Sequence, residues 1–184
     1  MPDVTRLAFF GGVYSNSTAL ANAVAGARRE GVDALYALGD FGGFGPHPDR
    51  VFPILLDAGV QCIQGNYEES LSSGAEDCHC GYTDPRDNHF AQISYDYTAS
   101  NTSPEWKRWM GSLPKTRRLD VAGRRVLLVH GSPRKINEFL WESTSPVAFL
   151  ELRGKREPSP APHFCCRRDV SRYFPSGPLV TRPS

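Results

Sequence analysis

Three side chains of different donor type stand at equivalent places in the sequence. Asp40, Asn66 and His130 each follow an apolar run that breaks at glycine: Ala34–Leu38 before Gly39-Asp40, Val60 to Ile63 before Gln64-Gly65-Asn66, and Val126–Val129 before His130-Gly131. A carboxylate at the carboxyl end of a buried strand is where open α/β sheets place their chemistry. The glycines after Asp40 (Gly42, Gly43 and Gly45) permit a sharp turn and leave room for a ligand. Carboxylate, amide oxygen and imidazole together suit Mn, Fe, Zn or Mg, as one or two ions. Such an ion polarises a phosphoryl oxygen and lowers the pKa of a bound water.

The elements that would carry these residues follow from the apolar spacing. Thr5–Phe10 reads as a strand, then a helix capped by Ser15 or Asn16 with Ala19, Leu20, Ala23, Val24 and Ala27 at helical intervals, then the strand Ala34–Leu38. This spacing implies a right-handed βαβ unit with parallel strands. Pro48 opens a second helix that contains Pro53, and Val60–Ile63 is the third strand. Tyr67 to Ser94 shows no apolar period and is expected to be an ordered functional loop. Ser103-Pro104 starts a helix with Trp106, Trp109, Met110 and Leu113 on its apolar face. Arg117–Val121 and Arg124–Val129 flank Ala122-Gly123 as a hairpin. Ser145-Pro146 begins a further helix. At about Arg153 the chain becomes rich in Pro and Arg, which predicts a domain over 1–152 and a disordered or aberrant tail over 153–184. An ending of this kind is what translation in a shifted frame would produce, so the domain is expected to be incomplete at its C-terminus.

Of the 184 residues 40% are apolar and 11% aromatic, enough for one packed domain. The formal net charge is +1, so no overall field directs the chain to nucleic acid or to a membrane surface. No stretch approaches the roughly 20 apolar residues of a membrane span. The five cysteines are odd in number and do not form a disulfide framework by spacing, and a reducing cytoplasm is the expected location.

Gly39-Asp40-x-x-Gly43, then Gly65-Asn66, then His130-Gly131, each after an apolar strand, resembles the calcineurin-like metallophosphoesterases over Thr5 to about Leu152. The resemblance implies an α/β fold of two packed mixed sheets flanked by helices. It also implies a two-metal site that hydrolyses a phosphate mono- or diester. Asp40 would match the aspartate that bridges both ions, and Asn66 and His130 would match ligands of the second. Gly12-Val13-Tyr14 stands where the family has Asp-x-His, Tyr67 stands at the catalytic histidine, and the closing Gly-His-x-His is absent. Tyr14, Tyr67, Glu68, Cys78, His79 or His89 would then supply replacement ligands. The alternative is a degenerate module of the same fold that binds phosphate or nucleotide without turnover.

Arg86 and Arg134 are the candidates for phosphate recognition, because guanidinium pairs bidentately with phosphate oxygens. His89 and His79 are the candidates for leaving-group acid. Cys78-His79-Cys80 has donors too close for the usual zinc spacing and fits a packed loop better, although a zinc or redox centre is the third reading. The expected partner is a small phosphate ester or a nucleotide, with the oligomeric state left open.

Overall fold

The computed structural model of the chain describes residues 6–139 and 163–165. Two three-stranded sheets form the frame. In the first, β1 (Leu7–Phe10), β2 (Ala34–Ala37) and β3 (Gln61–Cys62) lie side by side in that order and are parallel throughout. In the second, β4 (Thr116–Val121) pairs antiparallel with β5 (Arg124–Val129), and β5 pairs in parallel with β6 (His163–Cys165). The hairpin joining β4 and β5 is Ala122-Gly123, both at positive φ (49° and 74°), which matches the twist of the strands it connects.

Strand alternation separates two cores. Tyr36 and Leu38 turn to one face with Ile63, Val126 and Leu128, and this cluster joins the first sheet to the second. Leu35, Ala37 and Cys62 turn to the other face, where they meet Leu20 and Val24 of helix α1 (Ser17–Arg29) and Val51, Phe52 and Leu55 of α2 (Val51–Asp57). The molecule is therefore an α/β sandwich, two sheets face to face with helices outside, as the resemblance implies. Asn16 caps α1 by accepting from the Ala19 N–H at 3.0 Å. A 3-10 turn (Pro48–Arg50) leads into α2, so Pro53 falls in the first turn of α2, where no N–H is needed.

The expected loop from Tyr67 to Ser94 is corrected. Asn66–Ser73 is helix α3 and Pro85–Asn101 is helix α4. α3 buries Asn66, Glu68 and Ser70 beside Tyr67 and Leu71, so its inner face is partly polar. α4 buries Ala91, Tyr95 and Thr98 while Phe90, Ile93 and Tyr97 lie exposed. Neither helix has the apolar stripe that periodicity detects. Asp84 at the N-cap with Pro85 at the first helical position marks the start of α4, the same signature as Ser103-Pro104 at α5 (Pro104–Ser112). The helix expected after Ser145-Pro146 lies outside the described residues, as does the tail over 153–184 apart from β6.

Candidate active site

Asp40, Asn66 and His130 meet at one end of the sandwich, each buried (2%, 1% and 1% exposed). Asp40 follows β2, His130 follows β5, and Asn66 is the first residue of α3 after β3. Two glycines make the meeting sterically feasible. A Cβ on Gly39 (φ +90°) would lie 2.5 Å from the Gly65 nitrogen and 2.9 Å from His130 Nδ1. A Cβ on Gly65 would lie 2.7 Å from the Asp40 nitrogen. Asp40 itself is held at φ 57°, a left-handed conformation that Asp tolerates better than most residues.

The atoms that face one another are fixed from outside. His130 Nδ1 lies 2.6 Å from the Leu38 carbonyl oxygen, which only accepts, so Nδ1 carries the proton. Asn66 Nδ2 donates to the Cys78 carbonyl at 2.8 Å, which turns Oδ1 toward His130. His130 Nε2 is then 3.0 Å from Asn66 Oδ1 and 3.3 Å from Asp40 Oδ1. With Nε2 unprotonated, three lone-pair atoms converge with no positive charge among them. Either a proton on Nε2 or a cation relieves that repulsion, so the donor set fits a metal ion chemically. No group of three or more His, Cys, Asp or Glu side chains among the described residues is arranged as a metal site, and the third donor here is the Asn66 amide.

Without a cation the proton takes that role. Burial alone would lower the His130 imidazole, but the Asp40 charge and hydrogen bond, with the Leu38 carbonyl and Glu68, hold it above its ordinary value. Glu68, which the sequence offered only as a replacement ligand, braces the candidate centre. Fully buried, it accepts from the Asp40 and Gly65 N–H groups through Oε2 and from the Phe41 N–H through Oε1, all at 2.8 Å. Its oxygens thus hold the Asp40 turn. Burial first, then Asp40, pushes its carboxyl up to about 7. The signal in the sequence was Glu three residues after the helix-capping Gly65.

No family model matches the sequence. A metallophosphoesterase from Sphaerobacter thermophilus is similar at TM-score 0.60 and 25% identity, over 88% of this chain and 59% of its own. The chain has the calcineurin-like metallophosphoesterase fold. A hypothetical protein from Pyrococcus horikoshii OT3 gives 0.65 at 19% identity, over 83% of this chain and 65% of the other. A protein described as a candidate diadenosine tetraphosphatase gives 0.51 at 18%, over 80% and 55%. An uncharacterized protein of Methanocaldococcus jannaschii is 22% identical over 142 residues, which is 77% of this chain and 55% of that relative. The chain thus spans less than two thirds of the length of each of these proteins. No helix among the described residues is long and apolar enough to cross a membrane.

Gly12, Tyr14 and Tyr67 have definite places in the structure. The Tyr14 ring lies over Gly12, and a Cβ there would come within 2.3 Å of it, so the ring occupies the space that any side chain at Gly12 would need. Tyr67 is buried against Gly43, its N–H 3.4 Å from Asp40 Oδ1, and burial pushes its phenol up to about 12. Cys78 and Cys80 form a disulfide, a bridge that the spacing of the five cysteines does not suggest. Their Cα atoms are 5.2 Å apart, within reach of a disulfide, across His79 at positive φ. Sulfurs joined in this way are not thiolates and do not ligate zinc.

The other candidates stand elsewhere. His79 is exposed in the disulfide loop and lies 2.8 Å from Asp77. His89 and Arg86 are exposed at the start of α4, each against the Phe90 ring. Arg134 lies in the loop after His130 and is engaged by Glu138 at 2.5 Å.

Proposed function

We propose that the chain is a metal-dependent phosphoesterase that hydrolyses a phosphate mono- or diester at the Asp40, Asn66 and His130 centre. The observation that carries this reading is the convergence of three lone-pair atoms whose orientations are fixed by the Leu38 and Cys78 carbonyls. A divalent ion (Mn, Fe, Zn or Mg), one or two in number, would be held by these three side chains and supplies Lewis acidity toward a phosphoryl oxygen and a more acidic water. Glu68 keeps Asp40 in place, and the Leu38 carbonyl keeps the His130 Nε2 lone pair directed at the centre. Arg134, exchanging Glu138 for substrate, holds the non-bridging oxygens. Water oxygen attacks phosphorus as its proton passes to solvent, the ester P–O bond breaks, and the departing oxygen takes a proton from His79 or His89. Of the two expected acids, His79 belongs to the loop whose Cys78 carbonyl holds Asn66, whereas His89 and Arg86 sit on α4. A small phosphate ester or a nucleotide is the substrate class, in keeping with a neighbour described as a diadenosine tetraphosphatase.

The second reading, a phosphate- or nucleotide-binding module without turnover, is favoured by the Tyr14 ring over Gly12. Hydrolysis of p-nitrophenyl phosphate and bis-p-nitrophenyl phosphate with Mn separates the two. Turnover that falls by about 100-fold or more in Asp40→Asn and in His130→Ala supports the enzyme. Nucleotide binding by the wild-type chain with no turnover supports the module. Turnover unaffected by both substitutions contradicts the proposed centre.

A further inference from the structure

A cavity of about 660 Å³, within the range of small-molecule sites, opens where β1 passes into α1. Its wall combines two kinds of group. One is polar: α1 begins here, its first backbone bond is Leu20 N–H to Asn16 O, and Asn16 Oδ1 takes the Ala19 N–H. The Ser17 and Thr18 N–H groups therefore make no bond within the helix, at the end where the peptide dipoles favour an anion. Ser15 lines the same cavity at 2% exposure, and its buried hydroxyl has no hydrogen-bond partner among the described residues. The other kind is aromatic. Tyr14 and Phe44, 39% and 53% exposed, both line the cavity and meet edge to face at 5.6 Å. Both are held in left-handed backbone (φ 51° and 53°), a conformation uncommon for large side chains. The Phe44 N–H donates to Ser94 Oγ at 2.7 Å, which fixes its loop to α4.

We propose that this cavity is a nucleotide subsite, with a phosphate group at the Ser15 hydroxyl and the Ser17 and Thr18 amides and the base against the Tyr14 and Phe44 rings. An unpartnered buried hydroxyl beside free helix amides is complementary to an oxyanion. An exposed aromatic pair beside it is complementary to a base, for which stacking is sequence-tolerant. The subsite adjoins the catalytic centre: Val13 and Tyr14 N–H donate to the Asp40 carbonyl at 2.9 and 3.1 Å, and Ser15 N–H to the Phe41 carbonyl at 2.7 Å. Taken with the phosphoesterase reading, on which this step rests, the scissile ester lies at Asp40 and the remainder of the same nucleotide lies in the cavity.

The full chain is tested in EDTA with AMP, ribose 5-phosphate and adenosine by NMR titration. AMP is expected to bind more tightly than either fragment and to shift the Ser17 and Thr18 amide signals. Phe44→Ala and Tyr14→Ala should each weaken AMP by about tenfold with little effect on ribose 5-phosphate. Ser15→Ala should weaken AMP and ribose 5-phosphate but not adenosine. Leu56→Ala, an exposed apolar side chain on α2 outside the cavity lining, is the control and should change nothing. AMP no tighter than ribose 5-phosphate, shifts away from α1, or equal losses in Phe44→Ala and Leu56→Ala would overturn the subsite. AMP binding that survives in Asp40→Asn while the wild type turns over no ester keeps the subsite and removes the phosphoesterase reading. Ester turnover without AMP binding does the reverse.

Discussion

Glu68 is the residue on which the centre most depends without contributing a ligand. Three backbone N–H groups end on its carboxylate, two of them from the Asp40 turn itself. Glu68→Gln turns an amide NH2 toward at least one of those donors, and destabilisation of about 1–3 kcal/mol in urea titration is expected. The pH dependence has a definite sign. The Glu68 carboxyl, ordinarily near 4.5, is raised to about 7 in the folded chain, so the native state keeps a proton that the unfolded state has lost. Metal-free stability therefore falls as pH rises from about 4.5 to about 7, and Glu68→Gln flattens that slope. His130 acts in the same direction. Its folded value lies above 6.5, so its stabilising contribution is complete below 6.5 and is lost as pH rises through the folded value. Metal binding should follow the opposite course, tightening as His130 Nε2 gives up its proton.

The elements meet through glycines and caps more than through apolar stripes. Gly39→Ala puts a Cβ 2.5 Å from the Gly65 backbone at φ +90°, and a loss of more than about 2 kcal/mol by thermal denaturation is expected. Asp84 accepts from the Arg86 N–H at 2.7 Å at the start of α4, and Asp84→Ala should cost about 1 kcal/mol. The same contrast explains what the sequence made legible. β2, β5 and α1 announced themselves because their buried residues are apolar and regularly spaced, and the glycine after each strand marked Asp40, Asn66 and His130. α3 and α4 did not, because α3 turns Asn66, Glu68 and Ser70 inward and α4 leaves Phe90, Ile93 and Tyr97 outside. Long-range facts were also out of reach. Nothing in Cys78-His79-Cys80 shows that its carbonyl sets the Asn66 amide, and nothing in Tyr14 shows that its ring lies over Gly12.

At the scale of the molecule, two sheets packed through Tyr36, Leu38, Ile63, Val126 and Leu128 bring the ends of β2, β3 and β5 together, and the centre is built where they end. A cation bound there links the first sheet to the second, so Mn should raise the melting temperature in a concentration-dependent way that Asp40→Asn removes. The most direct test of the central claim is Mn binding followed by electron paramagnetic resonance, which reads the free ion and needs no substrate. At least one Mn is expected to bind per chain at pH 8, with binding that weakens as pH falls and His130 takes up its proton, and with loss of that site in Asp40→Asn and in His130→Ala. Mn bound equally well by all three proteins, or by none, would contradict the proposed centre.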